Sequence, residues 1–85
     1  MSEVRIYSTG TCPRCERAKG LMKKWNIDFT EIRVDEDRAG LVEMAKVTNG
    51  ARTVPQITVA GNWIGSLSEL TEMHMDGELD HLMGE

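Results

Sequence analysis

The chain has two cysteines, Cys12 and Cys15, and two prolines, Pro13 and Pro55. Two cysteines cannot build the stapled framework of a disulfide-rich scaffold. No apolar run approaches the roughly 20 residues that a helix needs to cross a bilayer, so no membrane partner is expected. Met1 to Tyr7 carries charges and lacks the apolar core of a secretory signal, which makes the cytoplasm the expected location. Basic residues are not in excess either. Ten Lys and Arg stand against fourteen Asp and Glu, a net charge of -4, which argues against nucleic acid as a partner. Repeats, linkers and low-complexity tracts are missing as well. The 85 residues are read as a single domain, 1–85, expected to be a monomer.

What is present centres on Thr11-Cys12-Pro13-Arg14-Cys15. In a reducing compartment a C-x-x-C points to catalysis or metal binding rather than to a structural bridge. Pro13 has a fixed φ and no N–H, which suits the first turn of a helix. Cys12 then lies at the helix N-terminus, facing unpaired N–H groups and the positive end of the macrodipole. Both favour thiolate over thiol. Arg14 and Arg17 add positive charge. Cys12 is thus the expected nucleophile. Cys15 falls one turn on, in phase with Ala18, Met22 and Trp25, and is expected to face the core as a resolving thiol.

The surrounding pattern alternates strands with helices. Residues 3–7 read as a strand, with Val4 and Ile6 alternating with Glu3, Arg5 and Tyr7. Residues 13–25 read as a helix with Ala18, Leu21, Met22 and Trp25 at helical spacing, and Asn26 as its stop. Gly20 is a mild defect in it. Residues 28–34 read as a second strand. Asp35-Glu36-Asp37 places acidic residues before a second helix that runs to about Thr48, with Leu41, Met44, Ala45 and Thr48 on one face. Val54 to Val59 reads as a third strand, and Ala60-Gly61-Asn62 as a turn into Trp63-Ile64. Ser66 and Glu69 form a capping box for a last helix carrying Leu67, Leu70 and Met73. Leu79, Leu82 and Met83 suggest a further turn or two. The order is βαβαββα: an α/β fold with a mixed four-stranded sheet flanked by three helices. A βαβ crossover makes the first two strands parallel, and the closing hairpin is antiparallel.

Two other uses of these residues are weaker. Cys12 and Cys15 with His74 and His81 would give four zinc ligands, but the six residues between the histidines are too many for the usual spacing. Pro13 and Arg14 also suit a helix start better than a zinc knuckle, so no metal is expected. The acidic cluster at 35–37 reads as a helix cap rather than a metal site.

In this order of motifs the chain resembles the glutaredoxins, a thioredoxin-like family. The likeness rests on Ile6-Tyr7, Cys12-Pro13-Arg14-Cys15, Thr53-Val54-Pro55-Gln56-Ile57, Ile64-Gly65 and Ser68-Glu69-Leu70, and it covers nearly the whole chain. It implies a thiol–disulfide oxidoreductase with Cys12 and Cys15 as the catalytic pair. Glutathione would be the reductant, with no other cofactor bound. The partners would be disulfide-containing or glutathionylated proteins. The resemblance also implies a cis peptide at Pro55, turning Val54 toward the dithiol. Thr53, Val54 and Pro55 would hold the cysteinyl part of glutathione. Leu67, Ser68 and Glu69 would hold its γ-glutamyl end at a helix N-terminus. Arg14 or Arg52 would meet its glycyl carboxylate.

Three departures from the family pattern stand out. Arg14 occupies a position that is often tyrosine. Thr9 stands where a lysine is common, and Gly65-Ser66-Leu67 replaces Gly-Gly-Cys. They leave the dithiol alone and bear on glutathione affinity. Two rival readings follow from the same family. One is an electron donor, for instance to ribonucleotide reductase, that is itself reduced by thioredoxin reductase. The other is a glutathione-ligated iron–sulfur cluster carrier, which the proline of the C-P-x-C motif disfavours.

Overall fold

The computed structural model describes residues 3–79. Its elements are β1 (Val4–Ser8), α1 (Pro13–Lys24), β2 (Thr30–Arg33), α2 (Arg38–Val47), β3 (Gln56–Val59), β4 (Asn62–Gly65) and α3 (Leu67–Met75). The sheet order is β2-β1-β3-β4. β1 and β2 are parallel, and β1–β3 and β3–β4 are antiparallel. This is the βαβαββα arrangement and mixed sheet that the sequence predicts. Of the residues expected after α3, Leu82 and Met83 lie outside the described residues.

Strand alternation decides which helix meets which face. Val4, Ile6, Ile57 and Val59 pack with Ala18, Met22 and Leu70 of α1 and α3 on one side. Tyr7 points the other way and packs with Val34, Met44 and the partly buried Ile32, Val47 and Val54 under α2. The sheet is therefore covered on both faces, so Tyr7 is buried rather than turned to solvent. Its hydroxyl donates to Glu43 of α2 at 2.6 Å, and Arg5 reaches the same carboxylate at 2.9 Å.

Two expectations shift. The third strand begins at Gln56, not Val54, because Val54 and Pro55 form a cis-proline bend before it. The buried stripe of α2 runs through Gly40, Met44 and Thr48 rather than through Leu41 and Ala45, and Leu41 is 46% exposed. The cause lies at Gly40. A Cβ there would come within 2.5 Å of Ile32 Cγ2, so the missing side chain lets α2 seat its Gly40 edge on β2. The β3–β4 turn has positive φ at both Ala60 and Gly61, the combination that a two-residue hairpin of right-handed twist requires.

Candidate active site

β1 ends at Ser8, and the chain reaches α1 through Thr9 to Cys12. Asp35 holds this loop from the side. Its Oδ2 accepts the Gly10 N–H at 3.0 Å while Arg33 donates to both of its oxygens. These bonds hold the Asp35 carboxyl at about 2, below the usual carboxylate range. Asp37 caps α2, accepting the Gly40 N–H at 3.1 Å, so within this acidic cluster one residue ties the loop and another caps a helix.

Cys12 is the N-cap residue of α1, and Pro13 is the first helical residue. The Cys12 sulfur accepts the backbone N–H of Cys15 at 3.1 Å. This is the bond that a capping serine or aspartate makes to the third helical residue. Across the cleft the Val54 carbonyl lies 3.8 Å from the same sulfur, close enough to accept from its S–H. The Val54–Pro55 peptide is cis, as the family resemblance implies. Both cysteines are free thiols; Cys12 is half-buried and Cys15 fully buried. Burial, then its contact with Cys12, pushes the Cys15 thiol up to about 12 against the opposing pull of the Thr9 N–H and Lys19. The two sulfurs thus differ in kind: one lies at a cleft within reach of a partner, the other is sealed beneath it.

Of the other predicted residues, Val54 alone has a hydrogen-bond contact with the Cys12 sulfur across the chain. Thr53 and Pro55 flank Val54 in the chain, Thr53 exposed and Pro55 buried. Leu67 and Ser68 open α3, where the first-turn amides lack helical partners. Ser66 precedes them, and its N–H and hydroxyl both donate to Glu69 Oε1, at 2.8 and 2.9 Å. These bonds, backbone first, hold the Glu69 carboxyl below its usual range, with Arg14 a smaller contributor. Gly65 has φ +119°, and a Cβ on it would meet Glu69 Cγ at 2.6 Å, so only glycine lets Glu69 fold back in this way. Arg14 and Arg52 are exposed, and neither has an ion-pair partner among the described residues. His74 stacks on Trp25 with ring centroids 3.7 Å apart. His81, the other residue of the zinc alternative, lies outside the described residues.

Two features carry no signal in the motif spacing. Lys19, one turn below Cys15, bridges Glu16 and Glu31 at 2.6 and 2.8 Å, and the buried Ser8 hydroxyl donates to Glu31 at 2.6 Å. Gln56 is buried directly after Pro55 and bonds to Thr53 and Trp63. Nothing in the strand pattern marks it, because Thr58 in the same strand is polar and buried too.

A redox-capable cysteine pair at a helix start, facing a cis-proline loop, has counterparts among known proteins. The glutaredoxin family model matches residues 4–64. The chain belongs to the glutaredoxin family. Glutaredoxin 3 of Escherichia coli K12 is 39% identical over 83 residues, covering 98% of this chain and 99% of that protein. A glutaredoxin of Pseudomonas aeruginosa PAO1 is 37% identical over 83 residues, covering 98% of each. Among solved structures, a dithiolic glutaredoxin of Trypanosoma brucei brucei superposes with TM-score 0.81 at 34% identity, covering 98% of this chain and 88% of that one. The buckwheat glutaredoxin–glutathione complex superposes with TM-score 0.82 at 27% identity, covering 96% and 76%. Glutaredoxins are thiol oxidoreductases, and this chain carries the redox-active pair of that family at Cys12 and Cys15.

Proposed function

We propose that this glutaredoxin reduces protein disulfides and protein–glutathione mixed disulfides with electrons from glutathione. The observation that carries the reading is the asymmetry of the pair: Cys12 sulfur caps α1 at the cleft, while Cys15 is sealed below it.

The steps follow from that asymmetry. Cys12, as thiolate, attacks the glutathione sulfur of a mixed disulfide. The target protein leaves as its thiolate, and Cys12 is joined to glutathione. A second glutathione thiolate attacks that bond, releasing glutathione disulfide and free Cys12. With a protein disulfide, Cys12 first forms a mixed disulfide with the target. Cys15 then gives up its proton and attacks the Cys12 sulfur, leaving a Cys12–Cys15 bond and two target thiols. Two glutathiones reduce that bond.

Glutathione would lie in the cleft as an added strand. Its cysteinyl main chain would pair with Val54, between Thr53 and Pro55. The γ-glutamyl carboxylate would meet the amides of Leu67, Ser68 and Glu69. The second Glu69 oxygen would take the neighbouring ammonium. Arg14 or Arg52 would meet the glycyl carboxylate, in place of the lysine that Thr9 replaces. That the buckwheat glutaredoxin was solved as a glutathione complex supports this reading.

The test is turnover of a glutathionylated peptide, run once with glutathione and glutathione reductase and once with thioredoxin reductase. Turnover with the first pair is expected. Turnover with thioredoxin reductase alone would replace glutathione as the electron source.

A further inference from the structure

Dithiol chemistry gives no purpose to Gln56. It opens β3 directly after Pro55 and is 4% exposed. A buried amide is costly unless its polar atoms are paired. The pairing here runs along one line. Nε2 donates to the Thr53 carbonyl at 3.0 Å and to the Thr53 hydroxyl at 3.2 Å. Oε1 accepts the Trp63 indole N–H at 2.8 Å. Thr53 precedes Val54, whose carbonyl faces the Cys12 sulfur. At the other end, Trp63 is 45% exposed and lines a groove of about 410 Å³ with Gln56, Gly65, Ser66 and Glu69. Packing alone would be met by leucine or methionine at this place. Only the bonds require the amide.

We propose that Gln56 is a positioning residue for the reaction: its amide fixes the Thr53–Val54 edge on which the substrate main chain pairs, and Trp63 in turn fixes Gln56. That a substrate main chain pairs on this edge, and which substrate it is, rest on the reading above; the bonds that hold the edge do not. An edge that binds main chain serves ground state and transition state alike. Loosening it raises KM and leaves kcat nearly unchanged.

The test compares wild type, Gln56→Leu and Trp63→Phe in turnover of a glutathionylated peptide, with NMR order parameters recorded at Thr53 and Val54. Gln56→Leu is expected to raise KM about fivefold or more while kcat stays within about twofold. The order parameters are expected to fall from about 0.85 toward roughly 0.6. Trp63→Phe moves both in the same direction by less. A wild-type KM in Gln56→Leu overturns the proposal, even when the order parameters fall, since the amide is then only structural. If wild type does not turn over the glutathionylated peptide, the glutathione reading fails. The same KM comparison on a peptide disulfide, with dithiothreitol as reductant, then decides the positioning role. Should Gln56→Leu not fold, the KM of Trp63→Phe decides it: a rise supports the chain of bonds, and a wild-type value overturns it.

Discussion

The starts of α1 and α2 are built to one plan with different atoms. In α2, an Asp37 oxygen accepts the Gly40 N–H at 3.1 Å. In α1, the Cys12 sulfur accepts the Cys15 N–H at 3.1 Å. Both caps reach the N–H of the third helical residue, the bond that an N-cap side chain makes. The carboxylate in α2 has only a structural task. The sulfur in α1 fills the same place with an atom that can form and break bonds, and the cis-proline loop faces it from 3.8 Å away. In this chain the first cysteine of the redox-active pair is thus a helix cap whose atom has been exchanged.

The largest effect is expected when the cap atom is exchanged. Cys12→Ser and Cys12→Asp both keep an oxygen acceptor for the Cys15 N–H. Each is expected to abolish turnover of every disulfide substrate while thermal unfolding stays near wild type. Residual turnover in either would remove the nucleophile from this position. Cys15→Ser sharpens the contrast within α1. It should lose reduction of protein disulfides and keep removal of glutathione from a mixed disulfide, and equal loss of both would contradict the division of roles.

Smaller effects belong to the structural cap. Asp37→Ala removes the α2 bond and is expected to cost about 1 kcal/mol in urea unfolding, with turnover unchanged. Gly20→Ala probes the body of α1. An added Cβ meets nothing within 4 Å there, so a gain of about 0.5–1 kcal/mol is expected from helix propensity alone. The most local effect concerns the loop that leads to Cys12. Asp35 has its carboxyl lowered from 3.8 to about 2 by Arg33 and the Gly10 N–H. A lowered folded value means that the tie to Gly10 is complete above pH 4 and fades as pH falls from 4 toward 2. The Gly10 amide shift should therefore titrate with a midpoint near 2, and a midpoint near 4 would show that the tie does not form.

Much of this architecture is legible in residue order. Alternation and helical spacing place all seven elements, and Pro13 between the cysteines marks the start of α1. Errors arise where a contact made only in the fold, or the isomer of one peptide bond, decides. Leu41 looks like a core residue until Gly40 is seen to abut Ile32, which rotates α2 so that Leu41 faces outward. Val54 has strand character, yet the cis-proline bend leaves it at the cleft, while it still packs under α2. At the site the sulfur pair is readable from spacing. Gln56 and Asp35 are not, because their tasks exist only through Thr53, Trp63 and Gly10, brought to them by the fold. Glu69 is an intermediate case: the capping spacing predicts its bond to Ser66, but not that Gly65 must lack a side chain to permit it.

The most direct measurement is alkylation of the reduced protein by limiting iodoacetamide at neutral pH, with the labelled cysteine identified by mass spectrometry. Label on Cys12, with Cys15 unmodified until the protein is unfolded, is the predicted result. Equal labelling of both sulfurs, or label on Cys15 first, would contradict the account.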